Sequence, residues 1–249
     1  MQKLSEIFEQ LTTGELSQVH LGGAAHGEIT EENHRAVANH VKLGLTSLYK
    51  RFTLKHARLT VQLFPTVETY PLLSKYATNG KGTEPVRWIL DTAGALYSED
   101  ILKILTVTGD EGVVFPLNNY TDDFSIITPT MDSIRVPLII RNPLHGTIPK
   151  EYMTSKLVLD YQANHPNFVT PTGNLDPERV MIELPASHVQ ALLYFVASRV
   201  HNPIGMGQEF NAGNHWAQRY EVECQRLEND GNEIDTGGLV DRIRRGGWA

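Results

Sequence analysis

Residues 185–229 read PASHVQALLYFVASRVHNPIGMGQEFNAGNHWAQRYEVECQRLEN, and this stretch decides the fold. Val189, Leu192, Leu193, Val196 and Val200 recur three and four apart, so one helical stripe is apolar. Asn202-Pro203 ends that helix, because proline disfavours helical geometry at the residue before it and has no backbone donor. After Gly205 and Gly207, a second helix sets Phe210, Gly213, Ala217, Tyr220, Cys224 and Leu227 along a narrow seam. Glu209, Arg219, Glu221, Glu223 and Arg226 fall off the seam. Two amphipathic helices joined by a short turn pack antiparallel.

Upstream, residues 3–11 form a short amphipathic helix with Leu4, Ile7, Phe8 and Leu11 on one side, ended by Gly14. The following GELSQVHLGGAAHGEIT is a loop or docking arm, and no Lys-Ser or Lys-Thr turns its Gly22-Gly23 into a phosphate loop. Thr30 caps the next helix, with Glu31 and Glu32 in the first turn and Lys50 and Arg51 at the far end. Its stripe is Val37, Val41, Gly44, Leu45, Leu48 and Phe52; His34 and His40 lie on different faces and cannot share a metal.

From Leu54 to Leu184 the pattern changes to strands. Leu59, Val61 and Leu63 alternate with Arg58, Thr60 and Gln62, the period of a half-buried strand. Further strands are expected at Leu102–Val107, Val113–Phe115, Phe124–Thr128, Ile134–Ile140, Lys156–Gln162 and Val180–Leu184. Closely spaced short strands separated by turn residues suggest an antiparallel sheet placed between helices. The expected architecture is therefore α+β: a helical bundle built from both ends of the chain, including the C-terminal hairpin, with a central antiparallel β insertion and an extended C-terminal tail. The expected divisions are residues 1–53, N-terminal helices; 54–184, β insertion; 185–230, hairpin; and 231–249, tail.

The 249 residues suffice for a substantial core, and 41% apolar with 20% charged content is ordinary for a globular protein. A net charge of −7 argues against nucleic-acid binding by bulk attraction. The single cysteine, Cys224, builds neither a disulfide framework nor a four-ligand zinc site, and reads as a small buried apolar side chain. The N-terminus carries Glu6, Glu9 and Glu15 and is no signal peptide. No run approaches the roughly 18 apolar residues of a membrane span. A soluble protein made in a cytoplasm is expected.

No catalytic motif emerges. HExxH and GxSxG are missing, and His145, His165 and His188 are scattered through the chain. Asn79-Gly80-Lys81-Gly82-Thr83 lacks the leading glycine and the Gly-Lys-Ser/Thr ending of a nucleotide loop and reads as an exposed turn. Asp91 and Asp122-Asp123 are loop carboxylates that could bind calcium, without EF-hand spacing. Neither a catalytic residue nor a cofactor or metal is expected.

Four stretches carry a family resemblance: LSEIFEQLTTGELSQVHLGG with LGLTSLYKRF near the start, LKILTV-TGDEGVVFPLN-DDFSIITPTMDSIRVP in the β region, and ALLYFVASRV with WAQRYEVECQRLEN in the hairpin. Together they resemble the head-to-tail adaptors, or connectors, of tailed and mainly short-tailed phages. The resemblance implies a virion protein of the neck, forming a homo-oligomeric ring, a dodecamer, attached to the portal. Such a ring extends the channel through which DNA passes without sequence-specific binding, and presents a platform for tail tube or nozzle proteins.

The tail reads NEIDTGGLVDRIRRGGWA from Asn232, too poor in apolar residues to fold alone. Adaptors of this family use such segments to embrace the portal or a neighbouring subunit. Leu239, Arg242, Ile243, Arg244, Arg245 and Trp248 are accordingly the expected partner-binding residues, Trp and Arg being frequent interface anchors. Two alternatives stand beside the adaptor: another neck or tail component such as a tail terminator, and a phage-encoded hydrolase with an unrecognised carboxylate site.

Overall fold

A computed structural model describes residues 1–17, 19, 28–79, 82–110, 112–115, 117, 127–130, 132–136, 154–168, 175–201 and 208–230, with helix side chains from residue 212 in the last of these. The chain divides into two compact units, Met1–Leu54 with His165–Ala249, and Lys55–Asn164. Among the described residues no helix is long and apolar enough to cross a membrane.

The first unit holds four described helices: α1 (Leu4–Thr13), α2 (Glu31–Arg51), α3 (Ala186–Val200) and α4 (Gln208–Asn229). α1 buries the expected Leu4, Ile7, Phe8 and Leu11. The stripe of α2 is buried as read, with Tyr49 added to it. Thr30 occupies the N-cap position of α2, but its hydroxyl accepts from the Asn33 side chain at 3.1 Å and bonds no helix N–H. α3 is covered beyond a single stripe: His188, Ala191, Ala197 and Ser198 are buried together with Val189, Leu192, Leu193 and Val196. That follows from its position, since α1, α2 and α4 all pack against it. In α4 the expected seam holds at Gly213, Cys224 and Leu227, while Ala217 is exposed and Trp216 turns half inward instead.

This unit also contains a two-stranded sheet: β1 (Gln2–Lys3) pairs antiparallel with β10 (Met181–Ile182), Gln2 opposite Ile182. The Lys3 ammonium adds an ion pair to Glu178 at 3.0 Å.

The second unit is built on a five-stranded antiparallel sheet. In spatial order it runs β4 (Ile89–Leu90), β2 (His56–Gln62), β9 (Lys156–Ala163), β5 (Ile101–Gly109), β6 (Val114–Phe115). Leu59 lies opposite Leu159 and Val61 opposite Leu157, so the alternation read in β2 places one apolar row on the core face. β5 shifts register against β9 twice, between Ile101 and Lys103 and between Ile104 and Thr106. Such bulges break strict alternation, which is why Ile101-Leu102 and Ile104-Leu105 run as adjacent apolar pairs in this strand. Gly112, at φ 77°, supplies the left-handed residue that turns β5 into β6. A second sheet orders β3 (Thr69–Pro71), β8 (Ser133–Arg135) and β7 (Thr128–Pro129), with Pro71 on an edge strand where its missing N–H costs nothing. Tyr70, Trp88, Ile89, Phe115, Ile127 and Ile134 are among the residues of the shared core.

The expected helical bundle with an insertion is therefore corrected. The described chain is α+β with four helices and three antiparallel sheets, the largest five-stranded, and is more sheet-rich than a helical bundle. Helical periodicity registers over long segments, whereas β1, β3 and β4 are only two or three residues long and show no period; β10 falls within the strand expected at Val180–Leu184. The expected strand at Phe124–Thr128 lies outside the described residues as far as residue 126, as does the second half of Ile134–Ile140. The extended tail from residue 231 lies outside them as well.

Candidate interaction surfaces

The α3–α4 hairpin concentrates aromatic rings and guanidinium groups. Tyr194 of α3 and Trp216 of α4 stack with ring centroids 5.5 Å apart at 29°. The Arg219 guanidinium covers both rings, 5.1 Å from Trp216 and 5.9 Å from Tyr194. His201 and His215 approach the same indole, at 6.2 and 5.8 Å. On the neighbouring flank Phe195 meets Tyr220 edge-on at 5.3 Å, and Arg199 lies over Phe195. Trp216 and Tyr194 are half-buried while Arg199 and Arg219 are exposed. Neither arginine has a carboxylate partner among the described residues. A stacked Trp–Tyr pair under a free guanidinium is rigid, amphipathic and cheap to order, the composition that dominates binding interfaces.

A different face of the same unit is acidic. Two adjoining depressions of about 500 and 240 Å³ share His34 and Pro177. Phe8, Ile29, Leu175 and Pro177 line them with apolar surface, and His34 packs on Phe8 with ring centroids 5.3 Å apart. Glu9, Glu31, Glu32, Asp176 and Glu178 supply carboxylates, with Arg35 as the described cation of the lining. Asp176 and Glu178 ion-pair with Arg179 and Lys3. Glu9, Glu31 and Glu32 have no ion pair among the described residues.

The polar residues noted in the sequence are largely engaged in holding the fold. Asp91 Oδ1 accepts from the Asn79 N–H at 2.7 Å and the Thr78 hydroxyl at 3.0 Å, and Oδ2 from the Tyr97 N–H at 3.3 Å. Burial pushes its pKa up, but these hydrogen bonds together outweigh that and hold the carboxyl below its ordinary range. Asp91 is thus a loop staple. Asp110 does the same work, accepting from the N–H and hydroxyl of Ser155 at 2.9 and 2.8 Å. Asp122, Asp123 and His145 lie outside the described residues, and among the described ones no group of three His, Cys, Asp or Glu could hold a metal ion.

His165 is buried, and its Nε2 accepts from the Glu183 N–H at 2.9 Å. The proton must then sit on Nδ1, which lies 2.8 Å from the Pro166 carbonyl, so the ring is a neutral structural tie. His188 is buried edge-on against Phe52 at 4.8 Å, with Nδ1 3.0 Å from the Ser187 hydroxyl. Burial pushes its pKa down, against the opposing pull of Glu223. Burial likewise pushes the Cys224 thiol up, so it stays protonated and inert, as a core residue should.

All six partner-binding residues expected in the tail, Leu239, Arg242, Ile243, Arg244, Arg245 and Trp248, lie outside the described residues. The Tyr194–Trp216–Arg219 cluster escaped the sequence reading because α4 was read for its apolar seam alone. The available signal was Trp216 and Arg219, one turn apart and off that seam. No protein-family model matches the chain, and no curated protein matches it.

Proposed function

We propose that this chain is a structural protein of the phage neck, a head-to-tail adaptor acting as one subunit of a homo-oligomeric ring beneath the portal. Its work is binding and geometry, with no bond-making step. The ring extends the DNA channel and offers tail tube or nozzle proteins a platform. The net charge of −7 suits a conduit that must not retain the DNA passing through it.

The observation that carries the reading is the helical hairpin, whose sequence resembles that of adaptors and which presents Trp216, Tyr194 and Arg219 as a preformed docking surface. The four described helices supply rigid rods for a ring wall, and the five-stranded sheet supplies a separate unit for neighbours or tail components. The test is co-sedimentation of the purified chain with purified portal oligomers. The reading expects a saturable complex that Arg219→Glu weakens. Failure of the wild-type chain to sediment with the portal at any ratio would remove the portal from its partners.

A further inference from the structure

Between α3 and α4 lies a pocket of about 240 Å³, lined by Phe195, Gly213, Ala217 and Tyr220, with the Arg199 guanidinium and the Asn214 amide as its nitrogen donors. The Ser198 hydroxyl, also in the lining, donates to the Phe195 carbonyl at 2.7 Å and is not free to donate to a guest. Arg199 is held 5.4 Å from the centre of the Phe195 ring. The Tyr220 hydroxyl meets Ser47 of α2 at 2.9 Å, so α2 stands beside the pocket. Leu43, one helical turn before Ser47, is 54% exposed and leaves apolar surface near the charge. None of the three helices balances that charge. α3 contains no Asp or Glu, α2 has none after Glu32, and the described side chains of α4 include none before Glu221. In a chain of net charge −7, such local segregation leaves the pocket complementary to an anion.

We propose that this pocket receives a carboxylate side chain, flanked by apolar residues, from the protein that docks on the hairpin. The contact rests on the docking role given to the hairpin above and adds the chemistry its partner must present. A planar guanidinium takes two carboxylate oxygens in parallel, and the Asn214 amide has a further N–H to give. Phe195 and Ala217 supply apolar contact for the stem of the guest side chain. Tyr194 and Trp216 of the stacked cluster are the chain neighbours of Phe195 and Ala217, so a partner that covers the cluster also reaches the pocket. His40 reports on Arg199. Gly44 crosses α3 at Leu192 and Phe195 while Phe52 meets His188, so α2 and α3 run antiparallel and His40 stands beside Arg199. Burial, and after it the charge of Arg199, push the His40 imidazole below its ordinary pKa.

The test follows the His40 ring resonances of the full chain by NMR as the peptide acetyl-Leu-Glu-Leu-amide is added. Its Leu-Gln-Leu counterpart and propionate are the controls. The Glu peptide should bind saturably and raise the His40 pKa, because a carboxylate on Arg199 removes one of the causes that lower it. The Gln peptide and propionate should each bind on the order of tenfold more weakly, one lacking the charge and the other the apolar flanks. Arg199→Gln should abolish the response to the Glu peptide. Asn214→Asp places a like charge in the pocket from an exposed position and should do the same, which keeps the test decisive if the first variant unfolds. No saturable change at His40, equal binding of the two peptides, binding that survives both substitutions, or propionate binding as tightly as the Glu peptide would each overturn the proposal. Portal co-sedimentation separates it from the adaptor reading. A silent pocket in a chain that forms the saturable portal complex sinks the pocket alone, and an occupied pocket in a chain that the portal ignores sinks the portal alone.

Discussion

Gly44 of α2 lies so close to α3 that a β-carbon there would sit 2.7 Å from Leu192 Cδ1 and 2.9 Å from Phe195 Cδ1. The close crossing is therefore set by the absence of a side chain. Gly44→Ala removes a helix-weakening glycine, worth roughly 0.5–1 kcal/mol, but overpacks the crossing at a cost of about 1–3 kcal/mol. The net expectation is a lower melting temperature, and a further drop for Gly44→Leu. An unchanged or raised melting temperature for the alanine variant would show that Leu192 and Phe195 move aside freely.

Arg219 covers Trp216 and Tyr194 from the solvent side. Its exposed cation–π contact contributes about 0.5–1 kcal/mol to folding, so Arg219→Glu should melt within a few degrees of wild type. Binding to the portal should fall by on the order of tenfold, because a guanidinium at the centre of an aromatic patch is a typical hot spot. Equal portal affinity for the two proteins would move the docking surface elsewhere.

His188 gives stability a pH dependence. Its folded pKa is held below the ordinary 6.5 by burial, with Glu223 pulling the other way. The unfolded chain therefore binds the proton first, so stability is full above about pH 6.5 and is lost as the pH falls toward the folded pKa. His40, also pushed down by burial and by Arg199, adds to the same window. Urea unfolding between pH 5 and 8 should show a falling midpoint on acidification, and His188→Gln should flatten it. An identical slope in the variant would assign the effect to other groups.

Arg51 binds Glu221 and Glu228 at once, tying α2 to α4. The hydrogen bonds from Arg51 lower both carboxyl pKa values against an ordinary 4.5. Their contribution is present above that value and lost as the pH drops through the lowered ones. Both glutamates are substantially exposed, so Arg51→Ala should cost only about 1 kcal/mol, measured at pH 7 by denaturant unfolding. The difference between variant and wild type should shrink progressively as the pH falls below 4.5. A constant difference from pH 7 to pH 3 would mean that the arginine stem, not its charge, carries the loss.

Long amphipathic helices and the β2 strand were legible in the sequence because their periods extend over enough residues to register. Leu4, Ile7, Phe8 and Leu11, and Leu59 with Val61, are buried as their spacing required. Of the short strands, Val114–Phe115 and Met181–Ile182 fall within expected strands, but Gln2–Lys3 was not legible, because it becomes a strand only through pairing with Met181–Ile182. The aromatic cluster was hidden for a related reason, since Tyr194 and Trp216 meet across two helices and neither helix alone reveals the stack. The loop carboxylates carried an ambiguity that only geometry resolves. Asp91 is a calcium candidate by residue type and a loop staple by its hydrogen bonds to Thr78, Asn79 and Tyr97.

The central claim is that the protein belongs to the neck, and its most direct test is its position in the particle. Virions carrying an affinity tag in the exposed turn at residues 93–95 of the second unit can be labelled with gold and imaged after tails are gently removed from filled heads. The expected result is label at a single vertex, on the axis, between the portal and the tail platform. Label spread over the capsid shell or along tail fibres, or no label on purified particles, would contradict the assignment.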